Sequence, residues 1–184
     1  MNTITYTKEY FKGFSKVKFN RWILKHTKEL SCSALFTYTI KGISPLIRTV
    51  TKKYAKSDFI PTHVGQICKV GEEIMVFNQT PPKGQLSLLV DYIYNVDFDY
   101  QIVCVLDDID AFEYSKDVLH YNGEKYGYFS ALQSGIKGLR WICNKKHHCS
   151  EIMGLVLQEQ GYLQNVVADD LTPVDVYNLM VYGE

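Results

Sequence analysis

The stretch from Val64 to Ile93 constrains the fold most. Val64 to Val70 is one apolar, β-prone run, Gly71-Glu72 is a turn, and Ile74 to Phe77 is a second run. Strands joined so closely must be antiparallel neighbours, because a parallel pair needs a crossover of about a dozen residues. Pro81-Pro82-Lys83-Gly84 turns the chain again, and Gln85-Leu86-Ser87 leads into a helical turn around Leu88 to Ile93. Ser33 to Thr39 is rich in β-formers, and Gln101 to Leu106 is a continuous apolar run of the kind that forms a buried strand. An antiparallel sheet is therefore the expected centre of the fold.

The remaining segments are helical. Gly42 and Pro45 punctuate the chain, and Pro45 to Val50 reads as a short helix with proline in its first turn. Residues 56–61 form a loop, and Asp107 or Asp108 is placed to cap a helix after the buried strand. Tyr128 to Trp141 is a helix weakened by Gly135 and Gly138. Ser150 to Gln160 carries an apolar stripe of Ile152, Met153, Val156 and Leu157 and stops at Gly161. Thr172 caps the final helix and Pro173 takes its first position. The expected class is α+β, with an antiparallel sheet packed against helices. At 184 residues the chain suits one domain.

Residues 1–30 stand apart as a basic amphipathic extension, leaving 31–184 as the domain proper. The extension holds seven Lys and Arg but only Glu9 and Glu29 as acids. Tyr10, Phe11, Phe14, Val17, Trp22 and Leu24 recur at roughly helical spacing, interrupted by Gly13. Such a segment either docks its aromatic face on the domain, the favoured reading, or offers a basic surface to an anionic lipid or cell-wall polymer. Over the whole chain the formal net charge is zero, which gives no reason to expect a nucleic-acid partner. No apolar run is long enough to span a membrane, and the N-terminus has no signal-peptide pattern. A cytoplasmic or phage- and host-associated setting is expected. Five cysteines at scattered spacing suggest free thiols rather than a disulfide framework.

Two distant segments carry the chemistry. His148-Cys149-Ser150-Glu151 opens an amphipathic helix, so the Cys149 sulfur would lie over unpaired N–H groups at the positive end of the helix dipole, near Lys145 and Lys146. That setting favours thiolate, and the same N–H groups suit an oxyanion. Thr62-His63-Val64-Gly65 puts His63 at the mouth of a strand, placed to take the thiol proton and return it to a leaving group. A third polar group must orient the imidazole. Asn78, Gln79 and Glu73 are the candidates on the neighbouring strand, and parity alone does not choose among them. Cys143, His147, His148 and Cys149 also form a C-x3-H-H-C cluster, but adjacent histidines do not easily face one ion and the spacing matches no common zinc site.

From Ser33 to about residue 180 the chain resembles the permuted papain-like hydrolases, the NlpC-type enzymes of the YiiX-like group. The landmarks come in order. They are Leu35-Phe36-Thr37 on a strand, Ile47-Arg48 on a short helix, Thr62-His63-Val64-Gly65, Val76-Phe77-Asn78-Gln79, Pro82-Lys83-Gly84-Gln85 and Ser87-Leu88-Leu89. Gly123-Glu124-Lys125-Tyr126-Gly127, Cys149-Ser150-Glu151-Ile152-Met153 and Thr172-Pro173-Val174-Asp175 follow. The histidine precedes the cysteine, the reverse of papain. The resemblance implies Cys149 as nucleophile, His63 as base and then acid, Asn78 as orienting residue, Tyr126 in the substrate cleft, and no cofactor. It further implies a thiol amidase or peptidase, with bacterial cell-wall peptides as the expected substrate. A lipid ester or amide hydrolase or acyltransferase of the same fold, and an inactive interaction module, are the alternatives. Two positions depart from the pattern: Asn78 stands where the family often has an acid, and Gly127 where it has Asp.

Overall fold

The computed structural model describes residues 1–39, 44–94, 96–128, 130–131 and 146–183. Six strands form one antiparallel sheet: β1 (Thr3–Thr7), β2 (Cys32–Tyr38), β3 (His63–Val70), β4 (Glu73–Thr80), β5 (Lys83–Leu88) and β6 (Asp99–Val105). Their spatial order is β1-β6-β2-β3-β4-β5. Seven α-helices are described: α1 (Lys16–Lys25), α2 (Thr27–Leu30), α3 (Ser44–Thr51), α4 (Leu89–Tyr94), α5 (Ala111–His120), α6 (Cys149–Glu159) and α7 (Pro173–Tyr182). The class is therefore α+β. Of the helix expected over Tyr128–Trp141, only Tyr128, Ser130 and Ala131 lie among the described residues; Gly42, Cys143 and Lys145 lie outside them.

The hairpin at the centre forms because Val70 pairs with Glu73, leaving Gly71-Glu72 as a two-residue turn. Gly71 takes φ +62°, the left-handed conformation that such turns require and glycine adopts at no steric cost. The second strand runs further than its apolar pattern suggests, since Asn78, Gln79 and Thr80 go on to pair with Gln85, Gly84 and Lys83. Gln85-Leu86-Ser87 is accordingly strand, and it leads directly into α4 at Leu89, where the helical turn is expected.

Both faces of the sheet are covered, which is why its central strands read as nearly continuous apolar runs. Successive residues alternate between two cores. Leu35, Ile67, Val76, Ile102 and Cys104 pack with Phe19, Trp22 and Ile23 of α1 and with Leu89 and Ile93 of α4. Ala34, Phe36, Val64 and Val103 face Cys149, Met153 and Leu157 of α6 and Val176 and Met180 of α7. Further along the second face, Cys68 and Phe77 meet Tyr114 and Val118 of α5 and Ile152 and Val156 of α6.

Residues 1–30 are less separate than their composition suggests. The helix expected there begins only at Lys16, behind a Ser15 cap whose hydroxyl accepts from Lys18 N at 3.2 Å. Thr3–Thr7 is instead an edge strand along β6, with Thr3 opposite Val105 and Thr7 opposite Gln101. Its alternating threonines suit a strand with only one covered face. Phe11 and Trp22 meet edge to face with ring centroids 4.7 Å apart, and both are buried. No break in packing separates residue 30 from 31: Ser33 Oγ donates to Glu29 O at 2.6 Å.

The cap of α5 also differs from expectation. Asp110 Oδ1 accepts from Phe112 N at 2.8 Å and Glu113 N at 3.2 Å. Asp107 is committed elsewhere, to Asn2 N at 3.1 Å and the Tyr162 hydroxyl at 3.1 Å. At the other end of the chain, Thr172 caps α7 and shares a reciprocal pair of bonds with Asp175.

Candidate active site

β3 and α6 begin at the same place, and that coincidence builds the site. Gln66, on the α6 side of β3, donates from Nε2 to Cys149 O at 3.5 Å and ties the first turn of the helix to the strand. His148 is the N-cap, and its N–H donates back to Glu151 Oε2 at 3.2 Å. Cys149 is thus the first residue of an eleven-residue helix, buried, with the Val64 N–H donating to its sulfur.

His63 is hydrogen-bonded to Cys149 and, through Nε2, to Asn78 Oδ1 at 3.1 Å. With Nε2 turned to Asn78, Nδ1 is the nitrogen left to meet the thiol. Of the three candidate orienting residues, only Asn78 reaches the ring. Gln79 faces the other way and donates to Glu124 O, Lys125 O and His147 O at 3.4, 3.4 and 3.3 Å. Glu73 is exposed at the far end of β4, opposite Val70.

Gly65 explains why Asn78 succeeds. Gln66 pairs with Phe77, so the register carried one step further sets Gly65 opposite Asn78, with His63 diagonally beyond. The three share one face of the sheet, and the missing side chain at Gly65 opens the lane along which Asn78 reaches His63. A Cβ on Gly65 would lie 2.7 Å from Asn78 Oδ1 and 3.0 Å from Phe77 O.

The electrostatics single out one thiol of the four described. Burial pushes Cys32, Cys68 and Cys104 up to about 12. Burial acts on Cys149 too, but it is outweighed by the charge and hydrogen bond of His63, the charge of His148 and the Val64 N–H, which bring it down to about 7. The reciprocal effect raises His63: burial lowers it, while the Cys149 charge and hydrogen bond, then Asn78, more than compensate. Both shifts run in the direction that favours thiolate and imidazolium.

A cleft of ≈150 Å³ opens over the pair, lined by Ile47, His63, Tyr92, Phe98, Tyr126 and Cys149 among others. Two larger hollows, of ≈530 and ≈590 Å³, flank α1 and are lined by neither cysteine nor histidine. Tyr126 is held over the cleft because Tyr126 N donates to Pro82 O at 3.0 Å and its neighbour Lys125 bridges to Lys83. The Gly127 departure has a steric cause. Gly127 N donates to His147 O at 2.9 Å, and a Cβ there would collide with the backbone of Lys146.

Sequence reasoning missed Tyr92, an aromatic on α4 that looks like ordinary core until the cleft is seen. Burial, then the Cys149 charge, push its phenol up to about 12, so it stays a hydrogen-bond donor facing the site. The histidines of the C-x3-H-H-C cluster are engaged with acids: His147 Nδ1 meets Glu124 Oε1 at 2.7 Å, and His148 Nδ1 meets Glu151 Oε2 at 2.9 Å. Among the described residues no cluster is arranged to hold a metal ion. No helix of the described residues is long and apolar enough to cross a membrane. The chain matches no family model and no curated protein.

Proposed function

We propose that this protein is a thiol hydrolase of the permuted papain-like kind, acting on an amide or ester carbonyl. One observation carries the reading: a cysteine opening a helix is hydrogen-bonded to a strand histidine whose other nitrogen lies 3.1 Å from Asn78 Oδ1. The reversed order of His63 and Cys149 fits a circular permutation.

The mechanism follows from the groups in place. The Cys149 thiolate attacks the carbonyl carbon, and the oxyanion that forms turns toward the first-turn N–H groups of α6. The His63 imidazolium gives its proton to the leaving amine or alkoxide as the acyl–sulfur bond is set. A water then enters, His63 takes one of its protons, and the hydroxide releases the acid and restores the thiol. Asn78 keeps Nδ1 aimed at sulfur throughout. Tyr92 and Tyr126 line the space where the acyl group sits.

A peptide or cell-wall amide is the substrate that the family likeness favours. The lining of Ile47, Tyr92, Phe98 and Tyr126 favours the second reading, an apolar acyl group carried on a lipid ester or amide. Limiting iodoacetamide at neutral pH, with mapping of the modified cysteine, tests the common core of both. Cys149 should react first, and His63→Ala should slow it. Equal reactivity of all thiols, or none at Cys149, would leave only a binding module. Muropeptides and lipid esters, assayed side by side, then separate the substrates.

A further inference from the structure

Behind the nucleophile lies a polar cluster that the steps above do not use. His148 is 1% exposed, and both its ring nitrogens have acceptors. Nδ1 lies 2.9 Å from Glu151 Oε2 and 2.8 Å from Ser130 Oγ, and Nε2 lies 3.1 Å from the Leu171 carbonyl oxygen. The Ser130 hydroxyl is spent as a donor to Glu151 Oε2 at 2.6 Å. A carbonyl can only accept, so Nε2 carries a hydrogen; Glu151 as carboxylate can only accept, so Nδ1 carries one too. A ring with both hydrogens is a cation.

We propose that His148 is a positioning residue, a permanently buried imidazolium that holds the adjoining Cys149 as thiolate independently of His63. The assignment rests on reading Cys149 as the nucleophile. The charged and titratable groups around the ring are consistent with it. Glu151 on α6 is the counter-ion, and burial, which would raise it, is outweighed by His148 and Ser130, so it stays ionised. Asp169, from the turn before α7, is the second carboxyl facing the cluster; burial, then the charge and hydrogen bond of Glu151, raise it, while His147 and His148 lower it. His147 lies 3.8 Å from Glu151 Oε1 and is itself paired with Glu124. On the ring itself, burial lowers His148, and the Glu151 hydrogen bond, the Cys149 and Glu151 charges and the Leu171 carbonyl raise it further than burial lowers it.

Two measurements on the full chain decide the matter. Long-range proton–nitrogen correlation spectra of the wild-type protein should show both His148 ring nitrogens protonated through neutral pH. The alkylation rate of Cys149 against pH should rise through a midpoint near 7 in the wild type. His148→Gln should move that midpoint up by about one unit, the smaller end of what an adjacent charge does, and so slow alkylation about tenfold below it while leaving the alkaline plateau alone. Glu151→Gln, which frees the ring to become neutral, should move it the same way. A neutral His148 beside a reactive Cys149, or an unmoved midpoint in a folded His148→Gln protein, overturns the proposal and leaves the hydrolase reading intact. A charged ring beside a Cys149 no more reactive than Cys32 overturns it through the reading it rests on. Should His148→Gln fail to fold, the wild-type spectra and Glu151→Gln still decide.

Discussion

Gly65→Ala tests the geometry of the orienting residue most sharply. The new Cβ would fall 2.7 Å from Asn78 Oδ1, 3.0 Å from Phe77 O and 3.0 Å from Val76 Cγ2. Comfortable contact needs about 3.4 Å or more, so Oδ1 must retreat by roughly 0.7 Å. That same oxygen holds His63 Nε2 at 3.1 Å, and such a bond has only a few tenths of an ångström to give. Phe77 O is backbone within the β4 ladder and yields less easily. Overpacking of this kind costs about 1–3 kcal/mol. Losing the bond adds about 1 kcal/mol. Alanine returns about 0.4–1 kcal/mol by restricting the unfolded chain. The net expectation is a loss of about 1–3 kcal/mol in urea unfolding.

The cycle with Asn78→Ala separates the two causes. Truncating Asn78 removes the 2.7 Å contact and leaves the other two, so Gly65→Ala should cost less in the Asn78→Ala background, by about 1 kcal/mol. Cys149 alkylation below neutral pH should be slowed in Gly65→Ala and slowed no further in the double variant. A Gly65→Ala protein with wild-type stability and wild-type alkylation, or a cycle with no coupling, would refute the argument that Gly65 exists to let Asn78 reach His63.

Gly127→Ala should destabilise the protein by about 2–3 kcal/mol, because the colliding atoms belong to the Lys146–His147 backbone and not to a side chain that can swing away. Since that backbone leads into Cys149, its alkylation should slow as well; an unchanged melting curve and rate would count against this packing. Trp22→Ala should cost about 3–5 kcal/mol in a single cooperative transition, as for a core aromatic. A loss under about 0.5 kcal/mol, the surface range, would instead favour residues 1–30 as a detachable basic surface.

What the sequence made legible was local. The Gly71-Glu72 hairpin, the Thr172-Pro173 helix start and the placing of Cys149 at a helix opening each rest on a few adjacent residues, and the structure has all three. What stayed hidden was set by register and by distant partners. β1 is a strand because β6 lies beside it, nearly a hundred residues away in the chain, and the helical spacing that starts at Tyr10 gave no sign of it. Asp107 was as good a cap as Asp110 until the N-terminus claimed it. Choosing Asn78 over Gln79 needed the β3–β4 register and the gap at Gly65, neither of which parity supplies.

The same contrast bears on the neutral third partner. A carboxylate beside His63 would favour the imidazolium by direct charge; an amide gives only a dipole and a hydrogen bond. Taken alone, Asn78 therefore predicts a thiol less inclined to ionise than an acid in its place would give. Yet Cys149 is drawn down to about 7 despite its burial, and two histidines, not one, pull it there. Under the assignment made for His148, the carboxylate that charges the site is Glu151, which acts through His148, while Asn78 merely aims His63. Removing Glu151 should then cost this thiol more than removing Asn78 does. That ranking, read as the shift in alkylation midpoint for Glu151→Gln against Asn78→Ala, is opposite to what a site whose ionisation depended on its third partner would give.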